Sequence, residues 1–419
     1  MPGYVIVGGG VAGTTAAQNL RRLEPSAAVT LLGDEPYPYY YRPRLWEFLA
    51  GELEQTALFY RSEDWYASQK IALRLNAAAT KIKSQEHTVD LATGDSLSFD
   101  RLLLATGSCC FIPPIPGVNL PGVFVLRTLQ DASAMRAQAS RSRRAVVVGG
   151  GLLGLETARA LSALHLEVTV VEIAPHLLPR QLDREGAQFL QTRLEGLGMT
   201  ILAGARTAIV TGETAAGGIR LEDGREVPGE LILFSAGIVP RIDLAREAGL
   251  QTGRGVIVDA SMQTSTADIF AAGDVAEIDG RTYGLVPPAI EQARAASQNM
   301  AGVEKTLYPG TLPSTTLKLL GMDLTSLGEA TTEDESLVVR RALDEKAGIY
   351  RKVVLRNGVL IGAILLNDSA NVPLYKQLIA SRRDVSHVCD RLLDPAFDLK
   401  AFVSHKPVEP APAAPRRPG

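Results

Sequence analysis

The sequence predicts an α/β protein with two similar parallel-sheet domains and a smaller α+β domain after them. The main observation is an internal repeat, because residues 5–13 read VIVGGGVAG and residues 146–154 read VVVGGGLLG. Each copy is a β-branched strand, a Gly-x-Gly-x-x-Gly turn and an Ala-rich helical stretch, which is typical of the beginning of a βαβ unit. A buried apolar run follows later in each half, at residues 99–106 and 231–235. The whole plan is therefore duplicated.

The elements come in the same order in both halves. Second strands are predicted at 29–32 and 168–171, and short alternating strands at 73–75, 80–83, 88–91 and 97–99 and again at 208–211, 218–221 and 226–227. Residues 113–121 are proline-rich and predict a linker. A third segment from about residue 305 contains strand-like runs at 336–339, 350–355 and 359–365 around the turn Asn357-Gly358. The predicted domains are 1–115 with 244–305, then 116–243, then 306–402, and a Pro- and Ala-rich disordered tail at 403–419.

Composition excludes several classes of protein. The 419 residues are 46% hydrophobic, enough for two or three domains. Lys and Arg number 43 against 46 Asp and Glu, which gives no electrostatic case for nucleic acid as a partner. Three cysteines, two of them adjacent, exclude a disulfide framework and a cysteine-rich metal site, so we expect no metal and a cytoplasmic location. The longest uncharged stretch, residues 102–126, contains four prolines, so we expect no membrane span. The sequence MPGYVIVGGG at residues 1–10 lacks a basic region and its apolar run is broken by glycines, so we expect no targeting segment.

Two glycine turns predict two phosphate sites. The first set is Gly8, Gly10 and Gly13, and the second is Gly149, Gly151 and Gly154. The first glycine of each set permits a tight turn, the second lets a pyrophosphate approach the backbone, and the third lets helix and strand pack closely. The phosphate then lies at the positive end of the helix. Since each set lies between a predicted strand and a predicted helix, we expect two bound dinucleotides.

A dinucleotide site also needs an acid for the adenosine ribose, roughly 20 residues beyond the glycines. In the second unit this acid is Glu172, which would accept ribose hydroxyl hydrogen bonds and repel a 2′-phosphate. We therefore expect NADH to be preferred over NADPH, although the nearby His176 and Arg180 could soften the preference. In the first unit we assign the role to Glu35, with Asp34 next, and a solvated acidic turn is the alternative.

Three further motifs resemble the FAD-dependent pyridine nucleotide-disulfide oxidoreductase superfamily over about residues 1–305. They are LATG at 104–107, LFSAG at 233–237 and TSTADIFAAGD at 264–274. The resemblance implies a glutathione-reductase-like fold with two Rossmann-like domains, FAD in the discontinuous first domain and NAD(P)H in the second. It also implies cofactor contacts from Ala105, Thr106, Gly107, Gly237 and Gly273, and a bond from Asp274 to the ribityl chain. A helix after Pro288 would then point its amino end at the flavin.

Within the superfamily, the chain resembles the NADH:rubredoxin reductases and the NADH-oxidising portion of assimilatory nitrite reductases. GDEPYPYYYRPRL at 33–45, HLLPRQLD at 176–183 and TTLKLLGMDLTSLG at 315–328 carry this resemblance. It implies that Arg42 and Pro43 border the FAD and that Glu156 lies near the nicotinamide. A surface ion pair remains the alternative for Arg42, and a charge on the helix face for Glu156.

Two departures from the superfamily limit the chemistry. Disulfide reductases carry reactive cysteines just after the first βαβ unit or a Cys-x-x-Cys in the nicotinamide domain, and this chain has neither. We interpret Cys109 and Cys110 as buried packing residues and Cys389 as structural. Related ferredoxin reductases and apoptosis-inducing factors have a lysine close to the flavin in a pattern like RPPLSK, but the matching RPRLWE places Glu47 there. The group that tunes flavin N5 is therefore open, with Lys318 as a candidate.

Without a thiol relay, electrons that reach the flavin must leave it directly. The leading hypothesis is an NADH-dependent FAD reductase that passes electrons to a small redox protein or partner subunit, such as rubredoxin, ferredoxin or a nitrite reductase component. The alternatives are an NADH oxidase that uses oxygen and a flavin-bound interaction or sensor protein with little turnover. The third segment would mediate homodimerisation or cover the flavin edge where the acceptor docks.

Overall fold

The computed structural model describes residues 3–319, 321–332 and 334–404. The strands of the first half are β1 (Gly3–Val7), β2 (Ala28–Leu32), β3 (Ile71–Arg74), β4 (Ala79–Lys83), β5 (Thr88–Leu91), β6 (Ser96–Ser98), β7 (Arg101–Leu104), β8 (Ser108–Cys110) and β9 (Val123–Phe124). Those of the second half are β10 (Arg144–Val148), β11 (Glu167–Glu172), β12 (Thr200–Ala203), β13 (Thr207–Thr211), β14 (Gly218–Leu221), β15 (Glu226–Pro228), β16 (Leu231–Phe234) and β17 (Ile238–Pro240). Three short strands follow, β18 (Val256–Ile257), β19 (Ile269–Ala271) and β20 (Ala276–Glu277), before β21 (Ser314–Leu319), β22 (Met322–Gly328), β23 (Val338–Asp344), β24 (Ile349–Arg356) and β25 (Val359–Leu366).

The helices connect these strands. They are α1 (Val11–Leu23), α2 (Leu45–Ala50), α3 (Glu63–Ser68), α4 (Leu129–Ala139), α5 (Leu152–Ala163), α6 (Arg184–Glu195), α7 (Asp243–Glu247), α8 (Val286–Ala301), α9 (Val372–Ser381) and α10 (Leu399–Ser404). Short 3-10 turns cover Arg42–Arg44, Gln55–Leu58, Ser369–Asn371 and Ser386–Val388.

Two parallel sheets confirm the predicted duplication and fold class. The first has the order β19-β7-β1-β2-β3 and the second the order β12-β11-β10-β16-β9. In each sheet the strand before the glycine turn is central and pairs with its βαβ partner and with the later apolar run. The strand of the first run, β7, covers Arg101–Leu104 and is shorter than the predicted 99–106. Since parallel strands end together, both glycine turns lie at a carboxyl edge of a sheet.

An antiparallel meander accompanies each parallel sheet, β4-β5-β6 in the first half and β13-β14-β15 in the second. Strands β8 and β17 follow the two apolar runs and pair with each other, Cys109 opposite Val239. This pairing joins the ends of the two halves: the Phe111 N–H donates to the Gly237 carbonyl at 2.9 Å, and the Arg241 N–H donates to the Gly107 carbonyl at 3.0 Å. The two motifs that follow the apolar runs are therefore held side by side.

The described residues fall into two compact units, one within residues 1–175 and 194–311 and the other within residues 176–193 and 312–419. The second unit contains the antiparallel sheet β21-β22-β25-β24-β23. Its segment 176–193 differs from the sequence expectation, which placed these residues within 116–243. The reason is a buried ion pair at 3.2 Å between Asp183 and Lys352 of β24, which fixes the segment to this sheet. The remaining domain bounds stay a prediction.

Details of the second unit also differ from expectation. Strand β23 begins two residues later than the predicted 336–339, because the Ser336 N–H donates to the Asp334 carboxylate in a turn. Strands β21 and β22 were not predicted as strands, since only a family motif marked them. Helix α10 includes residues 403 and 404 of the predicted tail, and residues 405–419 lie outside the described part of the chain.

Candidate functional site

The first glycine turn forms an open cradle at the end of β1. A Cβ atom on Gly8 would lie 2.1 Å from the Ala105 carbonyl oxygen, and one on Gly13 would lie 1.9 Å from the Gly8 carbonyl oxygen, so neither position accepts a side chain. Gly10 is different, because a Cβ atom there would meet no described atom within 4 Å. Gly10 occupies the N-cap position of α1, and the first turn of this helix contains no acidic residue that would compensate its partial positive charge.

The second turn repeats this geometry at the end of β10. A Cβ atom on Gly149 would lie 2.2 Å from the Ser235 carbonyl oxygen, and one on Gly154 would lie 2.0 Å from the Gly149 carbonyl oxygen. A Cβ atom on Gly151, the N-cap residue of α5, would again meet no described atom within 4 Å. Each turn is thus closed where helix meets strand and open where a phosphate would lie, which fits one dinucleotide pyrophosphate in each cradle.

A cavity of about 490 Å³ adjoins the first cradle at the carboxyl edge of the first sheet. Its lining includes Gly8, Asp34, Thr106, Cys109 and Arg241. Asp34 is bound at 2.9 Å by Arg241, and both side chains are about half exposed, so the pair is weak and open to a ligand. This cavity, with a carboxylate and a phosphate cradle at one end, fits the adenosine part of FAD.

The Glu35 carboxylate is bound by two neighbouring side chains. Its carboxylate accepts hydrogen bonds from Arg42 at 2.6 Å and from the Tyr40 hydroxyl at 2.6 Å. Arg42 also donates to the Arg127 carbonyl at 2.8 Å, and Pro43 lies in the 3-10 turn that begins at Arg42. The ion pair that was the alternative for Arg42 is therefore present, but it is half-buried rather than on the surface. Of the two predicted ribose acids, Asp34 lines the cavity and Glu35 does not.

Asp274 lies just after β19 and is held by two partners that the sequence did not indicate. Its carboxylate accepts a hydrogen bond from the Ser108 hydroxyl at 2.7 Å and pairs with Arg127 at 3.0 Å. The preceding Gly273 N–H donates to the buried Gln292 amide of α8 at 2.9 Å. No short motif marks Ser108 or Arg127, so only the fold reveals them. A carboxylate fixed in this way can still accept sugar hydroxyls on its free lone pairs.

Helix α8 begins at Val286, slightly earlier than expected from Pro288, and its first turn is uncharged. Among the other predicted contacts, Thr106 lines the cavity and donates from its hydroxyl to the Arg241 carbonyl at 3.1 Å. Gly107 and Gly237 both have positive φ angles, 68° and 108°, which suit the sharp turns after the two apolar runs.

Glu172 ends β11 beside the second cradle and is 7% exposed. One carboxylate oxygen accepts the Gly150 N–H at 2.7 Å and the other accepts the Ala174 N–H at 2.7 Å. The acid therefore fixes the glycine turn as well as facing the cradle. Because each carboxylate oxygen accepts two hydrogen bonds, one position on each oxygen remains for a ribose hydroxyl.

Glu156 lies in the second turn of α5, and Glu47 lies on α2, which packs against α5. Burial raises the pKa of Glu156 to about 8, and the charge of Glu47 adds to the shift. Glu47 itself is bound by Arg44 at 2.6 Å. A carboxyl group that stays protonated at neutral pH is uncommon outside functional sites. The other catalytic candidate, Lys318, lies on β21, but its side chain is outside the described part of the structure.

The interpretation of the cysteines needs a correction. Cys109 is exposed and lines the 490 Å³ cavity, so it is not a buried packing residue. The reason is strand alternation: on β8 successive side chains face opposite ways, so only Cys110 turns toward the protein interior. Burial raises the pKa of the Cys110 thiol, which disfavours a reactive thiolate. Cys389 packs against the core of the second unit, as expected.

Among the described residues, none of the helices combines the length and the apolar character that a membrane span requires.

The sequence matches the family described as pyridine nucleotide-disulphide oxidoreductase over residues 2–299 and the rubredoxin NAD+ reductase C-terminal domain over residues 313–383. These matches confirm the resemblance found in the sequence.

Individual relatives agree with these family matches. The chain is 37% identical to a nitrite reductase [NAD(P)H] of Bacillus subtilis (strain 168) over 91% of its own length and 48% of that protein. It thus spans about half the length of the nitrite reductases that it matches. It is 32% identical to the ferredoxin–NAD(+) reductase component of the biphenyl dioxygenase system of Paraburkholderia xenovorans (strain LB400), covering 96% of this chain and 98% of that protein.

Among solved structures, the ferredoxin reductase for the CYP199A2 system from Rhodopseudomonas palustris superposes with a TM-score of 0.88 at 28% identity, covering 96% of this chain and 100% of that one. The duplicated parallel sheets, the two open glycine cradles and these matches lead to one assignment: the chain belongs to the pyridine nucleotide-disulphide oxidoreductase family.

Proposed function

We propose that this protein is an NADH-dependent FAD oxidoreductase that passes electrons from NADH through the flavin to a small redox protein or a partner subunit. Membership in the family implies binding of FAD and NAD(P)H. The observation that carries the proposal is the pair of open cradles at Gly10 and Gly151, each at the carboxyl edge of its own parallel sheet. Rubredoxin, ferredoxin or a nitrite reductase component is the class of acceptor that the relatives suggest.

Each cradle and the residues around it bind one of the two dinucleotides. The first binds the FAD pyrophosphate through Gly8, Gly10 and Gly13, its ribose through Asp34 with Glu35 behind, and its ribityl chain through Asp274. The FAD site is completed by the other residues that the sequence predicted as cofactor contacts: Arg42, Pro43, Ala105, Thr106, Gly107, Gly237 and Gly273. The second binds NADH through Gly149, Gly151, Gly154 and Glu172, with Glu156 toward the nicotinamide. The division into an FAD domain (1–115, 244–305), an NAD(P)H domain (116–243 without the segment 176–193) and an acceptor-side or dimerisation domain (306–402) is part of the proposal.

Electrons leave the flavin without a thiol relay. Residues 36–50, where disulfide reductases of the superfamily carry their cysteines, contain none. Cys109 and Cys110 face opposite sides of β8, so their thiols are poorly placed to join. When bound, FAD would supply the chemistry, namely acceptance of a hydride from a nicotinamide and single-electron transfer to an iron-sulfur acceptor. The protein has to hold the two rings in contact and in the right orientation.

Stopped-flow mixing of the FAD-loaded protein with NADH under anaerobic conditions tests the proposal. We expect NADH to decrease the flavin absorbance within the time of the stopped-flow measurement. The absorbance should return when an oxidised rubredoxin or ferredoxin is added. A flavin that NADH does not bleach would exclude the reductase. In a separate aerobic assay with NADH, steady oxygen consumption that an added carrier does not diminish would instead indicate an oxidase.

Glu172 should set the preference for NADH over NADPH. Replacing it with glutamine removes the negative charge that repels a 2′-phosphate, so we expect the ratio of the NADPH and NADH dissociation constants to fall about tenfold. NADH should also bind somewhat more weakly, because the Gly150 N–H loses a charged acceptor. The measurement is the dependence of flavin bleaching on the concentration of each dinucleotide. FAD content is the control, and an unchanged ratio would contradict the assignment.

A further inference from the structure

Helices α2 and α5 pack against each other outside the phosphate cradles, and each carries a glutamate, Glu47 and Glu156. Arg159 of α5 stacks over the Trp46 ring of α2 at 4.9 Å and binds Glu52 at 2.8 Å. One helical turn closer to the amino end of α5, Glu156 lies near enough to Glu47 for the charge of Glu47 to act on it. Glu156 therefore lies on the side of the contact that leads toward the second cradle.

The arginines of this contact are engaged elsewhere. Arg44 donates two hydrogen bonds to Glu47, at 2.8 and 2.6 Å. Arg159 donates two to Glu52, at 3.0 and 2.8 Å. Glu156 is thus half-buried beside a carboxylate, while the neighbouring guanidinium groups are committed to other acids. This arrangement favours its neutral form, in agreement with the raised pKa of about 8.

The strands packed against α5 do not alter this balance. Strand β10 carries one charged residue, Arg144, which is bound by Glu230 at 2.7 Å. Strand β11 carries Glu167, which is exposed, and Glu172, which accepts two backbone N–H groups. Burial and Glu47 are therefore the influences that control the ionisation of Glu156.

We propose that Glu156, held as a neutral carboxylic acid between α5 and α2, makes this site release the oxidised dinucleotide more readily than the reduced one. The inference rests on the proposed function, because it requires the nicotinamide ring to lie at this end of α5. The oxidised ring carries a positive charge and the reduced ring does not. A carboxylate beside the ring would therefore retain the oxidised form selectively, whereas a neutral acid does not. The change involves no covalent step, since Glu156 only exchanges its proton with solvent.

The test is the pH dependence of two dissociation constants of the FAD-loaded protein, measured by titration calorimetry between pH 6.5 and 9.5. The ligands are NAD+ and tetrahydro-NAD, an unreactive analogue with an uncharged reduced ring. As the pH rises through about 8, Glu156 ionises. NAD+ should then bind about tenfold more tightly, while tetrahydro-NAD changes by less than about twofold. Ionisable groups that contact the part shared by the two ligands change both dissociation constants alike, so their effects cancel in the ratio of the two constants.

Three variants make the test specific. Glu156→Gln cannot ionise, so the affinity ratio should stay at its low-pH value across the range. Glu47→Gln removes the neighbouring charge, so the midpoint of the change should move to lower pH. Glu167→Gln, at an exposed position on the neighbouring strand, is the matched control and should leave the profile unchanged.

An affinity ratio that does not vary with pH in the wild type, or that still varies in Glu156→Gln, would overturn the role of Glu156. In either case both ligands would still bind, and the proposed function would stand. If neither ligand binds at any pH and NADH does not bleach the flavin, the proposed function fails instead.

Discussion

Replacing Gly151 with aspartate is expected to weaken NADH binding by at least about 100-fold. The new carboxylate would occupy the place of the pyrophosphate and would repel its negative charge. The variant should nevertheless fold. The backbone of Gly151 has φ −80° and ψ −176°, an extended conformation open to any residue, and a Cβ atom there would meet no described atom within 4 Å. Aspartate is also a favoured N-cap residue, so the free energy of unfolding should change by no more than about 0.5 kcal/mol.

The internal repeat provides the matched control. Gly10 has the same conformation, φ −77° and ψ −166°, and the same open surroundings at the amino end of α1. Gly10→Asp should therefore lose FAD and its absorbance while it still binds NAD+, and Gly151→Asp should keep FAD while NADH no longer bleaches it. The measurements are FAD content, NAD+ calorimetry and stopped-flow bleaching. If both variants lost the same cofactor, the assignment of one dinucleotide to each cradle would be wrong.

The sequence was sufficient for the cradles because their signals are local. Glycine spacing, a β-branched strand before and a helix after are all contained in about 30 residues, and the duplication repeats them. Ser108 and Arg127 were missed because they reach Asp274 from 166 and 147 residues away and no motif marks them. The exposure of Cys109 was missed because it depends on which face of β8 packs against the protein interior.

Tertiary contacts also decided two points that residue patterns leave open. Glu47 stood out in the sequence only as a substitution for an expected lysine, and its effect on Glu156 requires the packing of α2 on α5. The HLLPRQLD motif was visible, but its association with the second unit depends on partners more than 150 residues away. Such pairings between distant segments cannot be inferred from periodicity, because many charged residues are available and only the fold selects among them.

Asp183, the last residue of that motif, lies at the centre of a buried network in the second unit. It is 4% exposed, and its carboxylate accepts hydrogen bonds from the Tyr350 hydroxyl at 2.9 Å and from Arg341 at 2.9 Å. Lys352, which is fully buried, pairs with it at 3.2 Å. Burial opposes ionisation of Asp183, but the hydrogen bonds from Arg341 and the Gly186 N–H lower the pKa of this carboxyl group below its usual value.

Asp183→Ala is therefore expected to destabilise the second unit by about 3–5 kcal/mol, because it leaves the ammonium of Lys352 buried without a carboxylate. Hydrogen exchange of the β24 amides under native conditions measures this unit apart from the rest of the chain. Lys352→Met should cost much less, since Asp183 keeps Tyr350, Arg341 and the Gly186 N–H.

The double variant Asp183→Ala, Lys352→Met decides whether the buried charge is the cause. If it is, removing both partners should be less harmful than removing Asp183 alone. The pH dependence of the free energy of unfolding tests the role of the Asp183 charge independently. A lowered pKa means that the stabilisation by Asp183 is present above the usual aspartate pKa of about 4 and is lost as the pH falls below it. Asp183→Asn should lack this loss in acid. Equal destabilisation in Asp183→Ala and in the double variant, together with the same loss of stability in acid for Asp183→Asn as for the wild type, would show that Asp183 acts through packing rather than charge.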